Sequence, residues 1–97
     1  MNQDVQYRHA VTMNLSDSFQ EAVEEARHLK QRPTNEQLLK LYSFYKQATA
    51  GDVNGDRPGG FDFKAIAKYD AWASLAGMPA EDAMRSYIEL VESLKSR

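Results

Sequence analysis

The sequence of 97 residues contains no cysteine, which excludes disulfides, thiol nucleophiles and zinc sites of the cysteine type, and suits a reducing compartment. It has two histidines, His9 and His28, and a single tryptophan, so a catalytic histidine would have few places to be. Nowhere is there an apolar run long enough to cross a membrane, and none of signal-peptide length lies between Met1 and Leu15. Positive charge is not in excess either. Twelve Lys and Arg against fourteen Asp and Glu give −2, which removes any global drive toward nucleic acid or anionic membranes. An anionic ligand would have to be met by local cations. The length admits one domain with a modest core and no large enclosed cavity, so a ligand is expected in a groove. A cytoplasmic location is expected.

What is present is helical periodicity. Residues 1–15 are expected to form a loosely ordered N-terminal extension, in which Val11, Met13 and Leu15 alternate with polar residues. The domain proper is expected over 16–97. Phe19, Ala22, Val23, Ala26 and Leu29 recur at steps of three and four, with Ser16 or Ser18 as the expected cap of a first helix. After Pro33, the Thr34/Gln37 spacing is that of a capping box. It opens a second helix whose Leu38, Leu41, Tyr42, Tyr45 and Ala48 share a face and which ends at Gly51 as a left-handed C-cap. Asp52 to Gly60 holds three more glycines and Pro58, a long connection that lets two successive helices run parallel. Asp62 caps a third helix carrying Phe63, Ile66, Ala67, Tyr69, Ala73 and Ala76 up to Gly77. Pro79 suits the first turn of a fourth, with Ala83, Met84, Tyr87, Ile88, Val91 and Leu94. Beyond that short alternation, no segment has a convincing period of two. Four amphipathic helices must cover one another's stripes, so the expected class is an all-α four-helix bundle.

Most of the reactive residues have an ordinary structural reading. His28, near a helix C-terminus, reads as a cation favoured by the helix dipole or as a packed residue, not as a base. Glu24 and Glu25 are adjacent and diverge on a helix, so they read as a solvated face. Asp52-Val53-Asn54-Gly55-Asp56 has the flavour of a calcium loop. Its glycine comes too early, however, and the glutamate of the twelfth position is missing, with Lys64 about where that ligand would fall. Arg57-Pro58-Gly59-Gly60 fits neither phosphate-loop spacing nor a dinucleotide fingerprint. No metal site is expected. Tyr42, Tyr45 and Lys46 are neighbours at steps of three and four, and Lys64 and Lys68 repeat that spacing on the third helix. Lysine ammoniums suit phosphate, and tyrosines offer a stacking face and a hydroxyl, a combination that fits a nucleotide. The same residues also fit a helical interaction module with tyrosines in the core and lysines in water.

The wording of the chain is more specific. Tyr42-Ser43-Phe44-Tyr45-Lys46-Gln47-Ala48-Thr49, Gly51-Asp52, Arg57-Pro58-Gly59, Asp62-Phe63-Lys64 and Lys68-Tyr69-Asp70-Ala71-Trp72 closely resemble the acyl-CoA-binding protein (diazepam-binding inhibitor) family. So do Glu81-Asp82-Ala83-Met84 and Tyr87-Ile88. The likeness runs from Ser16 to Lys95 without a gap. It implies a bundle of up-down-down-up topology with the long loop between helices 2 and 3. It further implies non-catalytic binding, buffering and transport of long-chain fatty acyl-CoA by a cytoplasmic monomer, with no cofactor and no nucleic acid. Transient contact with acyl-CoA-using enzymes or membranes is part of the same expectation. By position, Tyr42, Tyr45, Lys46, Lys68 and Tyr87 match the family's contacts to the coenzyme A head, with Lys46 and Lys68 near the 3′-phosphate. Arg27 and Lys64 match two further basic positions, Leu38 an apolar position along the acyl groove, and Arg32 a basic one near it. Arginine at position 27, where the family commonly has lysine, is not an equivalent contact. Tyr69 stands where tryptophan is common, and Met78-Pro79 replaces the usual polar cap of the last helix. A thioesterase acting on the same ligand is disfavoured by the missing nucleophile and base.

Overall fold

The computed structural model describes residues 14–96. The segment through Val11 and Met13, His9 and the rest of 1–13 lie outside the described residues. Four helices follow: α1 (Leu15–Ala26), α2 (Asn35–Ala50), α3 (Phe63–Ala73) and α4 (Ala80–Lys95).

The caps explain the helix ends and correct three sequence-based boundaries. The cap of α1 is Asn14, not Ser16 or Ser18; its side-chain oxygen accepts from the Asp17 N–H at 2.8 Å, and both serines fall inside the helix. The capping box of α2 is present in full. Thr34 Oγ1 accepts from Gln37 N–H at 3.1 Å, and Gln37 Oε1 accepts from Thr34 N–H at 2.8 Å. Gly51 ends α2 with φ 80° and ψ −153°, outside the left-handed helical region and in territory that only glycine occupies easily. Asp62 caps α3 through Ala65 N–H. The regular part of α3 stops at Ala73; Leu75 and Ala76 bond back three residues to Trp72 and Ala73 in tighter turns before Gly77. Pro79 is the N-cap of α4, without a side-chain bond, and Glu81 and Asp82 supply negative charge over the first turn.

Contacts between helices give the direction of each. Phe19 packs on Tyr87 and Glu25 meets Lys95, so α1 and α4 run parallel. Gln47, late in α2, donates to the Met78 carbonyl just before α4, while Lys40 shares a recess with Glu89 and Leu90; α2 is therefore antiparallel to α4. Leu38 lies by Lys64, Tyr42 by Lys68 and Lys46 by Trp72, so α2 and α3 are parallel. The order is up-down-down-up. Two consecutive parallel helices need a connection that climbs back along α2, about 24 Å for its 16 residues, and the stretch from Gly51 to Asp62 supplies it.

That connection is tied down at its start and its middle. Arg57 makes a bidentate pair with Asp70 at 2.8 and 2.9 Å, and the Tyr69 hydroxyl donates to the Gly55 carbonyl. Trp72 Nε1 donates to the Gly51 carbonyl at 2.8 Å. Asp52 Oδ1 accepts from both Gly77 N–H and Gln47 Nε2. The core is built on α4, whose Ala83, Tyr87, Val91 and Leu94 are buried against Phe19 and Ala22 of α1 and Leu41 and Ala48 of α2. Phe63 does not join it. It opens α3 with its ring in water, contrary to its place in the expected apolar stripe. No helix among the described residues is long and apolar enough to cross a membrane.

Candidate functional site

Because α2 and α3 are parallel and in register, residues four apart on one meet residues four apart on the other. Lys68 Nζ sits 4.7 Å from the centre of the Tyr42 ring, and Lys46 Nζ sits 4.9 Å from the centre of the Trp72 ring. Both distances are those of cation–π contacts. Each pair crosses the helix interface in opposite senses, lysine from α2 in one and from α3 in the other. Among the described residues no carboxylate lies within ion-pair distance of Lys46, Lys64 or Lys68, although Arg57, Arg85 and Lys95 all have one. An aromatic face holds an ammonium in place without cancelling its charge. Lys46 and Lys68 are thus held in place and still available to an anion, and Lys64 is available without such a contact.

A groove of about 420 Å³ runs beside this pair of helices, lined by Arg32, Leu38, Leu39, Tyr42, Lys64 and Lys68 together with Asn35 and Ala67. Five of the nine sequence-predicted ligand residues therefore share one concavity: Arg32, Leu38, Tyr42, Lys64 and Lys68. A second recess of about 230 Å³ joins at Tyr42 and Lys68 and continues over Trp72, Tyr69 and Pro58. A larger recess, about 610 Å³, lies between α2 and α4, but Lys40 is its one cation and Glu36 and Glu89 also line it. Its charge does not suit an anion, and the smaller groove is the better candidate.

Tyr45 and Tyr87 are placed differently from Tyr42. They face α1, with ring centres 6.4 Å apart, and Phe19 packs 5.9 Å from Tyr45 and 5.1 Å from Tyr87. Tyr87 is almost fully buried while Tyr45 keeps an exposed edge. Burial pushes the Tyr87 hydroxyl above its ordinary value of 10.0, and the neighbouring Tyr45 adds to this against the opposing charge of Arg27. The hydroxyl is a proton donor at neutral pH. Arg27, exposed at the end of α1, belongs to this corner and not to the groove. The predicted set is thus divided between the α2/α3 groove and an aromatic corner between α1 and α4, joined across the surface of α2.

Trp72, Asn35 and Leu39 line or border the groove and were missed as site residues. Trp72 carries a legible signal, four residues after Lys68, but its partner Lys46 is on another helix. His28 lies in the turn after α1, exposed, with Nε2 3.8 Å from Glu24, and no nucleophile accompanies it. Among the described residues no cluster of His, Asp and Glu is placed to hold a metal ion.

Fold and site together define a small helical binding protein with an open groove that carries Arg32 and Lys64 where its two helices begin, Tyr42 and Lys68 further along, and the apolar Leu38 and Leu39 between. The sequence matches the family model described as acyl-CoA-binding protein over residues 16–91, and the chain belongs to that family. It is 47% identical over 83 residues to the acyl-CoA-binding protein homolog of Manduca sexta, covering 84% of this chain and 92% of the relative. It is 46% identical over 82 residues to the acyl-CoA-binding protein of Ricinus communis, covering 84% and 91%. The crystal structure of Oryza sativa acyl-CoA-binding protein 2 superposes with a TM-score of 0.81 at 42% identity, covering 86% of this chain and 92% of that one. The solution structure of the yeast acyl coenzyme A binding protein gives 0.65 at 41% identity, covering 80% and 91%.

Proposed function

We propose that the protein binds fatty acyl-CoA thioesters of long chain length and buffers and carries them without chemical change, as a cytoplasmic monomer. The observation that carries this reading is the set of three lysines, Lys46, Lys64 and Lys68, that no carboxylate among the described residues neutralises. Lys46 stands over the Trp72 ring and Lys68 over the Tyr42 ring, and Lys64 lines the same groove as Lys68 and Tyr42, beside the apolar Leu38 and Leu39. The ligand has matching ends. Its phosphates take the ammoniums, its adenine takes the aromatic faces and the tyrosine hydroxyls, and its acyl chain takes Leu38 and Leu39 along the groove. Tyr45, Tyr87 and Arg27 extend the polar end toward α1, and Arg32 stands beside the apolar one. Nothing in this arrangement attacks a thioester, since the groove has cations and hydroxyls but no nucleophile held by a base.

Isothermal titration with palmitoyl-CoA, and with coenzyme A and palmitate separately, tests the reading. Tight one-to-one binding of the thioester with much weaker binding of either half is expected. Equal affinity for the thioester and its halves would end the proposal and favour a helical interaction module. Free thiol released on incubation with the thioester would show a hydrolase instead.

A further inference from the structure

Phe61 and Phe63 are 90% and 68% exposed, the largest apolar side chains left in water among the described residues. They are not loose. Their rings meet edge to face with centres 6.1 Å apart, and the Phe63 N–H donates to the Phe61 carbonyl at 2.9 Å. The residue that follows, Lys64, lines the α2/α3 groove with Arg32, so the two rings stand at the end of the groove where α2 and α3 begin. Neither cation has a carboxylate partner among the described residues; Arg32 donates only to the adjoining Pro33 carbonyl. Asp62, between the two rings, caps α3 through the Ala65 N–H and keeps its charge, so the tip carries two cations against one carboxylate, while Glu36 lines the recess on the α4 side of α2.

An apolar tip flanked by unpaired cations is the combination that binds an anionic lipid surface, where the rings enter the headgroup boundary and the cations remain above it. We infer that the Phe61–Phe63 tip, with Arg32 and Lys64, docks the protein on anionic membranes with the open end of the groove facing the lipid. The purpose of such docking rests on the acyl-CoA reading, since a thioester with a long chain partitions into membranes with its head outward and would enter the groove there head-first or leave it tail-first. The docking itself stands on the geometry of the tip. Two rings and two cations make it weak and reversible, which suits a carrier that must leave the surface again.

The test is co-sedimentation of the full chain with vesicles of phosphatidylcholine and phosphatidylserine, without added thioester. The double variant Phe61→Ser/Phe63→Ser is run in parallel. The expected result is salt-sensitive partitioning that falls about tenfold or more in the variant, since each ring returned to water forfeits much of its transfer free energy. Pure phosphatidylcholine vesicles are expected to bind about twenty-fivefold less, at about fivefold for each of the two cations. Palmitoyl-CoA affinity in solution, measured by calorimetry, is expected to be unchanged in the variant, so the groove and the docking tip can fail separately. Absence of partitioning by the native protein, or equal partitioning by the variant, overturns the inference. So does a variant that keeps vesicle binding and loses affinity for palmitoyl-CoA, because the rings would then cover the acyl tail. Self-association of the native protein through the tip, seen by sedimentation velocity and abolished in the variant, overturns it also.

Discussion

Replacing Lys46 with alanine separates binding from folding most cleanly. In the free protein its ammonium touches only the Trp72 ring, at 4.9 Å, and it has no carboxylate partner among the described residues. Loss of that contact costs about 0.5–1 kcal/mol of stability, the range for a cation–π pair close to solvent, and leaves no charge stranded. In the complex the same ammonium is assigned a charge-assisted hydrogen bond to a phosphate, whose loss costs about 1.5–3 kcal/mol. At about 1.4 kcal/mol per decade this is a weakening of roughly ten- to a hundredfold. Palmitoyl-CoA affinity by calorimetry and urea midpoint by circular dichroism are the two readouts. A variant with a midpoint close to the native one and an unchanged affinity would refute the role given to Lys46. A variant that fails to fold would refute the claim that its contact with Trp72 is minor. Lys46→Met, which retains the apolar stem over the indole, is expected to lose affinity to the same extent and stability even less.

Phe19 is 1% exposed and buttresses both Tyr45 and Tyr87, so Phe19→Leu should destabilise the fold measurably in urea and also weaken ligand binding by loosening the aromatic corner; unchanged affinity would show that corner to be structural only. Gln47 is 1% exposed and its amide donates to Asp52 and Met78, so Gln47→Leu should cost about 1–3 kcal/mol in urea unfolding by stranding those acceptors. Its Oε1 has no partner among the described residues, which tempers the loss. The Gly77 N–H and then the Gln47 amide hold the Asp52 carboxyl below its ordinary value of 3.8. A folded value below the unfolded one means stabilisation that is complete above the unfolded value and disappears as pH falls through the folded one. Stability should therefore fall below about pH 4, and less steeply in Asp52→Asn, as followed by thermal melts across acid pH. Arg57 acts on Asp70 in the same direction, so Asp52→Asn removes part of the slope and not all of it.

The element content, the long connection and the residue types of the site were legible because they are local. Thr34 and Gln37 specify a helix start by their spacing, Asp62 by its side chain, and the stretch from Asp52 to Gly60 by its glycines and proline. Apolar steps of three and four locate the buried faces of Phe19, Leu41, Tyr87 and Val91 whatever the neighbouring helix is. Local chemistry was less decisive where several residues compete for one task. Asn14 outcompeted Ser16 and Ser18 as the cap of α1, and Phe63, in phase with a stripe, was left in water because it lies on the first turn of α3.

The pairings that make the site depend on where the helices lie. Tyr42 with Lys68, Lys46 with Trp72 and Phe19 with Tyr45 and Tyr87 join residues that are distant in the chain. A helical period orders residues along one helix and says nothing of which partner faces them. Only the parallel register of α2 and α3, held by the clasp of Arg57 on Asp70 and of Trp72 on Gly51, brings cations from two helices over aromatic faces beside a common groove. The sequence by itself determined the helices, their apolar faces and the stock of lysines and tyrosines, because propensity, capping and periodicity act over a few residues. The tertiary structure decided which lysines remain unpaired and which tyrosines are buried, because charge neutralisation and desolvation depend on neighbours in space.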